Sequence, residues 1–131
     1  MLRHLVSPAI LSTVLYGCSA VPTADANGNM RTVADGAPFQ MDAGDNVRLA
    51  DGSALRYERI ITDSRCPPNV KCVWAGDAIL AFVWTPKGAE SQSFELHTGL
   101  EPRSHDLGQR RLTLQSVAQG GTLATLEVSA P

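Results

Sequence analysis

"NVRLADGSALRYERIIT", residues 46–62, decides the fold. Two strand-like runs flank Asp51-Gly52, a pair suited to a tight turn with positive φ, so the stretch reads as a β-hairpin. Downstream, "AILAFVWT" (78–85) is almost wholly apolar with β-branched and aromatic members. That composition predicts a central strand buried on both faces. Pro86-Lys87-Gly88 turns the chain, and "SQSFELH" (91–97) sets Phe94 and Leu96 on one face. "GLEPRSHDLG" (99–108) reads as a longer loop. "RRLTLQSV" (110–117) alternates at Leu112 and Leu114, Gly120-Gly121 makes another turn, and "TLATLEVSA" (122–130) reads as a further strand. Helical periodicity is confined to the first twenty residues. The expectation is all-β: a small antiparallel β-sandwich, or a barrel, of about six to eight strands over residues 38–131.

Upstream of the hairpin the chain has a different character. "MLRHLVSPAILSTVLYGCSA" (1–20) opens with Arg3 and His4, runs apolar from Leu5 to Tyr16 and closes on Leu15-Tyr16-Gly17-Cys18. This is the layout of a secretory signal. Its apolar run, interrupted by Pro8, is shorter than the roughly 20 residues that cross a bilayer. Leu15-Tyr16-Gly17-Cys18 resembles a bacterial lipobox, with Tyr16 where a small residue is usual. The resemblance implies a signal peptide over 1–17, cleavage before Cys18, and acyl chains of the palmitate type on Cys18. Ser19, by the rule of that family, points to the outer membrane, facing the periplasm. The alternative is an ordinary signal cut after Ala26, since Ala24-Asp25-Ala26 has the small-x-small form, giving a soluble secreted or periplasmic protein. Residues 18–37, poor in large apolar side chains, read as a flexible tether.

The chain carries three cysteines, an odd number that calls for an explanation in an exported protein. Assigning Cys18 to lipid leaves Cys66 and Cys72 as a pair, which an oxidising compartment makes a disulfide. Five residues separate them in "SRCPPNVKCVWAGDA" (64–78), and four readings compete. As a staple, the ring stiffens the unfolded chain, helped by Pro67 and Pro68. Trp74, two residues past Cys72, then covers the disulfide, and Gly76 provides a bulge or close backbone approach. As a recognition loop, the rigid ring offers Pro67, Pro68, Asn69, Val70, Lys71 and Trp74 to a partner at low entropic cost. As a metal site it lacks the usual two-to-four-residue spacing and a second ligand pair, His97 and His105 being the weak further candidates. Redox catalysis wants two intervening residues at a helix N-terminus, and neither feature is present.

Arg65-Cys66-Pro67, Cys72-Val73-Trp74-Ala75-Gly76 and Ala78 resemble a pattern shared by small bacterial envelope proteins, often with a lipoprotein signal. The resemblance spans about fifteen residues, implies a small exported β domain, and transfers no activity.

Signs of catalysis are sparse. Ser104-His105-Asp106 has the residue types of a hydrolase triad, but neighbours on an extended segment point to opposite faces. No G-x-S-x-G elbow, phosphate loop or H-E-x-x-H occurs. Asp63, Asp77, Glu95 and Glu101 are scattered carboxylates. Arg56, Glu58, Arg59, Arg110 and Arg111 read as solvated faces that protect sheet edges. Met30 and Met41 are too few and too far apart for a copper site. A net charge of −2 with nine scattered arginines and two lysines gives no field for nucleic acid. The expected protein is non-catalytic and needs no cofactor. Its partners are the membrane, through Cys18, and an envelope protein or small ligand. A periplasmic small-ligand or metal-binding protein, and then a hydrolase inhibitor acting through Asn69 and Lys71, are the alternatives.

Overall fold

Apolar residues at every second position bury one face of each long strand, and two such faces close on each other. A computed structural model describes residues 30–131. Among these the elements are β1 (Arg31–Thr32), β2 (Phe39–Met41), β3 (Asn46–Arg48), β4 (Ala54–Asp63), β5 (Ala78–Thr85), β6 (Gln92–His97), β7 (Ser104–Leu107), β8 (Arg110–Val117) and β9 (Ala124–Ser129). They form two sheets, ordered β1-β3-β4-β5-β6 and β2-β9-β8-β7. The fold is therefore an all-β sandwich rather than a barrel. Its nine strands exceed the expected six to eight because β7 arises within the stretch expected as a loop, and because two-residue β1 precedes residue 38. Arg31 and Thr32 pair with β3 and Val33 is buried, so this part of the expected tether belongs to the sandwich.

The hairpin at 46–62 forms as read, with Gly52 at φ +85° in the turn. Strand β5 departs from expectation. Ala78, Leu80, Phe82 and Trp84 are buried, whereas the alternate residues Ile79, Ala81, Val83 and Thr85 are only half-buried. A two-layer sandwich has one inner face per sheet, and the outer face of even a central strand is covered only by its neighbours' side chains. Inside, Tyr57, Phe82, Phe94 and His105 form a continuous ring stack, with centroids 5.1, 5.5 and 4.0 Å apart, running from β4 to β7.

Two arginines tie the sheets together. At one end Arg110 of β8 donates to both carboxylate oxygens of Asp35, at 3.1 and 3.0 Å, and lies 3.7 Å from Asp51 in the β3–β4 turn. It is thus mostly buried rather than on a solvated face, whereas Arg111 beside it is exposed and pairs with Asp106. At the other end Arg65 does the same in the opposite sense, as described below. That second end gathers the connections 64–77 and 98–103 and the β8–β9 turn. The chain also leads into β1 from this end, because β1 runs parallel to β3 and therefore antiparallel to β4.

Candidate functional site

The connection 64–77 begins and ends in a tight backbone clasp. Ser64 N–H donates to the Asp77 carbonyl at 2.8 Å, and the Asp77 N–H donates to Ser64 Oγ at 3.0 Å. Gly76 sits at φ +70°, where a Cβ would lie 2.6 Å from the Ser64 carbonyl carbon. Only glycine fits both the conformation and the space. The close approach expected at this residue is what the structure contains.

Asp77 carries the clasp to the neighbouring connection. It is buried, and its carboxylate meets His97 Nδ1 at 2.6 Å and accepts from the Gly99 N–H at 2.7 Å. Longer contacts of 3.4 Å reach Thr98 Oγ1 and the Leu100 N–H. Burial by itself raises the pKa of this carboxyl. The Gly99 N–H, the His97 ring and the Leu100 N–H outweigh that, and the net shift is downward.

Arg65 fixes the same connection to the opposite sheet. Its guanidinium bonds both oxygens of Asp63, at 2.9 and 2.6 Å, and donates to the carbonyls of Val117, at 2.9 Å, and Ala118, at 3.3 Å. The bidentate partner holds Asp63 below the usual carboxylate range and raises Arg65 further. Beneath it, Tyr57 is fully buried and its hydroxyl has no hydrogen-bond partner. Burial first, then the charge of Asp42, pushes its pKa up to about 12.

On this base stands the disulfide ring. Cys66 and Cys72 are bonded, with Cα atoms 5.8 Å apart. Inside it Val70 N–H closes on the Pro67 carbonyl at 3.3 Å, and Asn69 lies at φ +66°. This is the arrangement of a type II turn, with Pro68 and Asn69 at its two central positions; asparagine tolerates the left-handed one.

Trp74 does not cover the disulfide. Residues 64–77 are irregular, so the alternation that would set Trp74 beside Cys72 does not apply. Trp74 is 62% exposed and Val73 is 95% exposed. Val70, Leu100 and Leu123 are also large apolar residues facing water. All five lie in the three connections at this one end, and among the described residues the sixth exposed large apolar side chain is Ile61, near the same end of β4.

One concavity adjoins the ring and another lies away from it. A cleft of about 450 Å³ lies between Cys66, Pro67 and Pro68 on one side and Val117, Gln119 and Gly120 on the other. A more open groove of about 630 Å³, walled by residues of β4, β5 and β6 and by His105 of β7, is lined by both His97 and His105. The histidines are thus brought to one surface, but each is already engaged: His97 with Asp77, and His105 flat against Phe94. Among the described residues no group of three or more His, Cys, Asp or Glu side chains is arranged to hold a metal ion. Ser104, His105 and Asp106 face separate partners, Thr113, Phe94 and Arg111. Met41 is a core residue. Asn69, Val70 and Lys71 are exposed on the ring, and Cys18 lies outside the described residues.

Arg65 and Asp77 organise the site, yet composition and periodicity give neither of them a role. Apart from Asp63, two residues from Arg65, their partners lie 13 to 56 residues away, and no local spacing announces such contacts. Comparison with protein-family models, with curated proteins and with solved structures gives no match for this chain.

Proposed function

We propose that this is a lipid-anchored protein of the bacterial cell envelope whose β-sandwich works by binding rather than by catalysis. In this reading Cys18 is acylated, the residues after it tether the sandwich, and the end bearing the Cys66–Cys72 ring is the working surface. The observation that carries it is the pairing of sulfurs: Cys66 and Cys72 satisfy each other, leaving Cys18, in its lipobox-like setting, as the remaining cysteine. A disulfide also fits an oxidising compartment outside the cytoplasm. The exposed ring and the bare Trp74 fit a surface kept for contact, since an indole left in water contributes nothing to the core.

Intact-mass analysis of the chain purified from its producing cell tests this. The expected species begins at Cys18, carries a diacylglyceryl thioether and an N-acyl chain, and shows no free thiol until reduced. A chain retaining residues 1–17 with an unmodified Cys18 would refute the reading. A second reading, a small-ligand-binding envelope protein, is favoured by the cleft beside Cys66 and Pro67, whose volume of about 450 Å³ is within the usual range for such sites. It calls for a rise in Tm with at least one member of a solute panel that includes divalent metals. No rise, or one that survives Gln119→Ala and Gln115→Ala, removes it.

A further inference from the structure

We infer that the ring end of the sandwich lies in the interfacial layer of the bilayer itself, with Val73 and Trp74 inserted at headgroup depth. The inference rests on the anchored reading above and names the surface that the working end meets.

Three observations converge on it. The first is the segregation of exposed apolar side chains: Val70, Val73, Trp74, Leu100 and Leu123 all project from the connections at one end. The second is direction. The chain leads into β1 from that same end, since β1 opposes β4 and β4 delivers its C-terminus to the ring. Residues 19–30 reach at most about 43 Å when fully extended. From the level of Arg56, opposite the start of β3, to the end of β4 at Asp63 is about 23 Å at 3.3 Å per residue. An anchor at Cys18 therefore allows this end to reach the lipid. The third is chemistry. Tryptophan is the side chain best suited to the water–lipid boundary, with an apolar ring and one N–H for the headgroups.

A protein partner is less well matched. A stable protein interface needs about 800 Å² per partner in a continuous patch. Here five apolar side chains are spread over three connections, and the most exposed, Val73, is almost wholly surrounded by water. Charge does not draw this end to anionic lipid, because Lys71 and Arg103 are offset by Asp42, Asp45 and Glu101 nearby. The attachment is apolar and only weakly dependent on salt.

Bringing the chain purified from its producing cell into vesicles of phosphatidylcholine and phosphatidylethanolamine, part of the former brominated on its acyl chains, tests the inference. Two tryptophans report: Trp84 is buried in the sandwich and Trp74 is free. The expected result is quenching by the brominated lipid, unchanged in high salt, with loss of that quenching in Trp74→Phe and weakening in Val73→Asp. Flotation with the vesicles, but with Trp74 open to acrylamide and untouched by brominated lipid, overturns the inference while the anchor stands. A chain that stays in the aqueous fraction with an unmodified Cys18 overturns both.

Discussion

Asp77→Ala would unlock the connection on which the ring is built. The aspartate makes two short bonds, 2.6 Å to His97 and 2.7 Å to the Gly99 N–H, from a side chain only 12% exposed. Hydrogen bonds to a charged group contribute about 1.5–3 kcal/mol each, so the loss should be about 3–5 kcal/mol. Asp77→Asn keeps an acceptor for Gly99 but removes the charge, and should lose about half as much. The two variants differ in pH dependence from the wild type in a defined sense. A carboxyl whose folded pKa is depressed stabilises fully above its unfolded value, near 3.9, and the stabilisation drains away as pH falls through the folded value. The gap between wild type and Asp77→Asn should therefore be full at about pH 5 and shrink steadily toward about pH 2. Urea unfolding followed by fluorescence measures it, provided the slope with denaturant is unchanged. A loss below about 1 kcal/mol for Asp77→Ala, or a gap that persists undiminished below about pH 4, would refute the reasoning.

Four other outcomes are expected. Replacing both Cys66 and Cys72 by alanine should cost about 2.3 kcal/mol, the chain-entropy value for so short a ring, with the fold retained; a reductant should lower the Tm of the wild type and leave this variant unmoved. Gly76→Ala should lose more than about 2 kcal/mol, from the positive φ and the Ser64 backbone that occupies the space of a Cβ, and equal stability would show that the clasp can open freely. Phe82→Ala, at the middle of the ring stack, should lose about 3–5 kcal/mol in the same urea experiment. Trp74→Ala and Val73→Asp should change stability by no more than about 0.5 kcal/mol, because neither side chain packs in the core; a larger loss would return Trp74 to the role of a cover.

The strands that could be read from the sequence are those in which local pattern and tertiary burial agree. Asp51-Gly52 turned where a tight turn was needed, and Phe94, Leu96, Leu112 and Leu114 all point inward. Three features escaped for physical reasons. The register shifts in β4, between Tyr57 and Arg59 and between Ile60 and Thr62, carry no glycine or proline to mark them, so nothing told Ile60, which packs against the core, from Ile61, which faces outward. Strand β7 is short and polar, and it exists because β8 supplies its partner, not because Ser104-His105-Asp106 favours extension. The odd cysteine count, with Cys18 set aside, gave the ring, but the irregular backbone that leaves Trp74 exposed includes the approach of Gly76 to Ser64, a contact made between distant parts of the connection.

The covalent ring also has a consequence for the fate of the chain among proteases. Lys71 and the bond after Asn69 lie on its exposed rim, and both are enclosed by Cys66 and Cys72. A single cut there would leave the two halves of the polypeptide joined through sulfur, and the long β4–β5 pairing beneath would hold them in register. Such a nicked molecule would keep its shape, heavier by the one water that hydrolysis adds, until reductant and denaturant together separated the fragments, so damage on this exposed rim need not end the life of the protein.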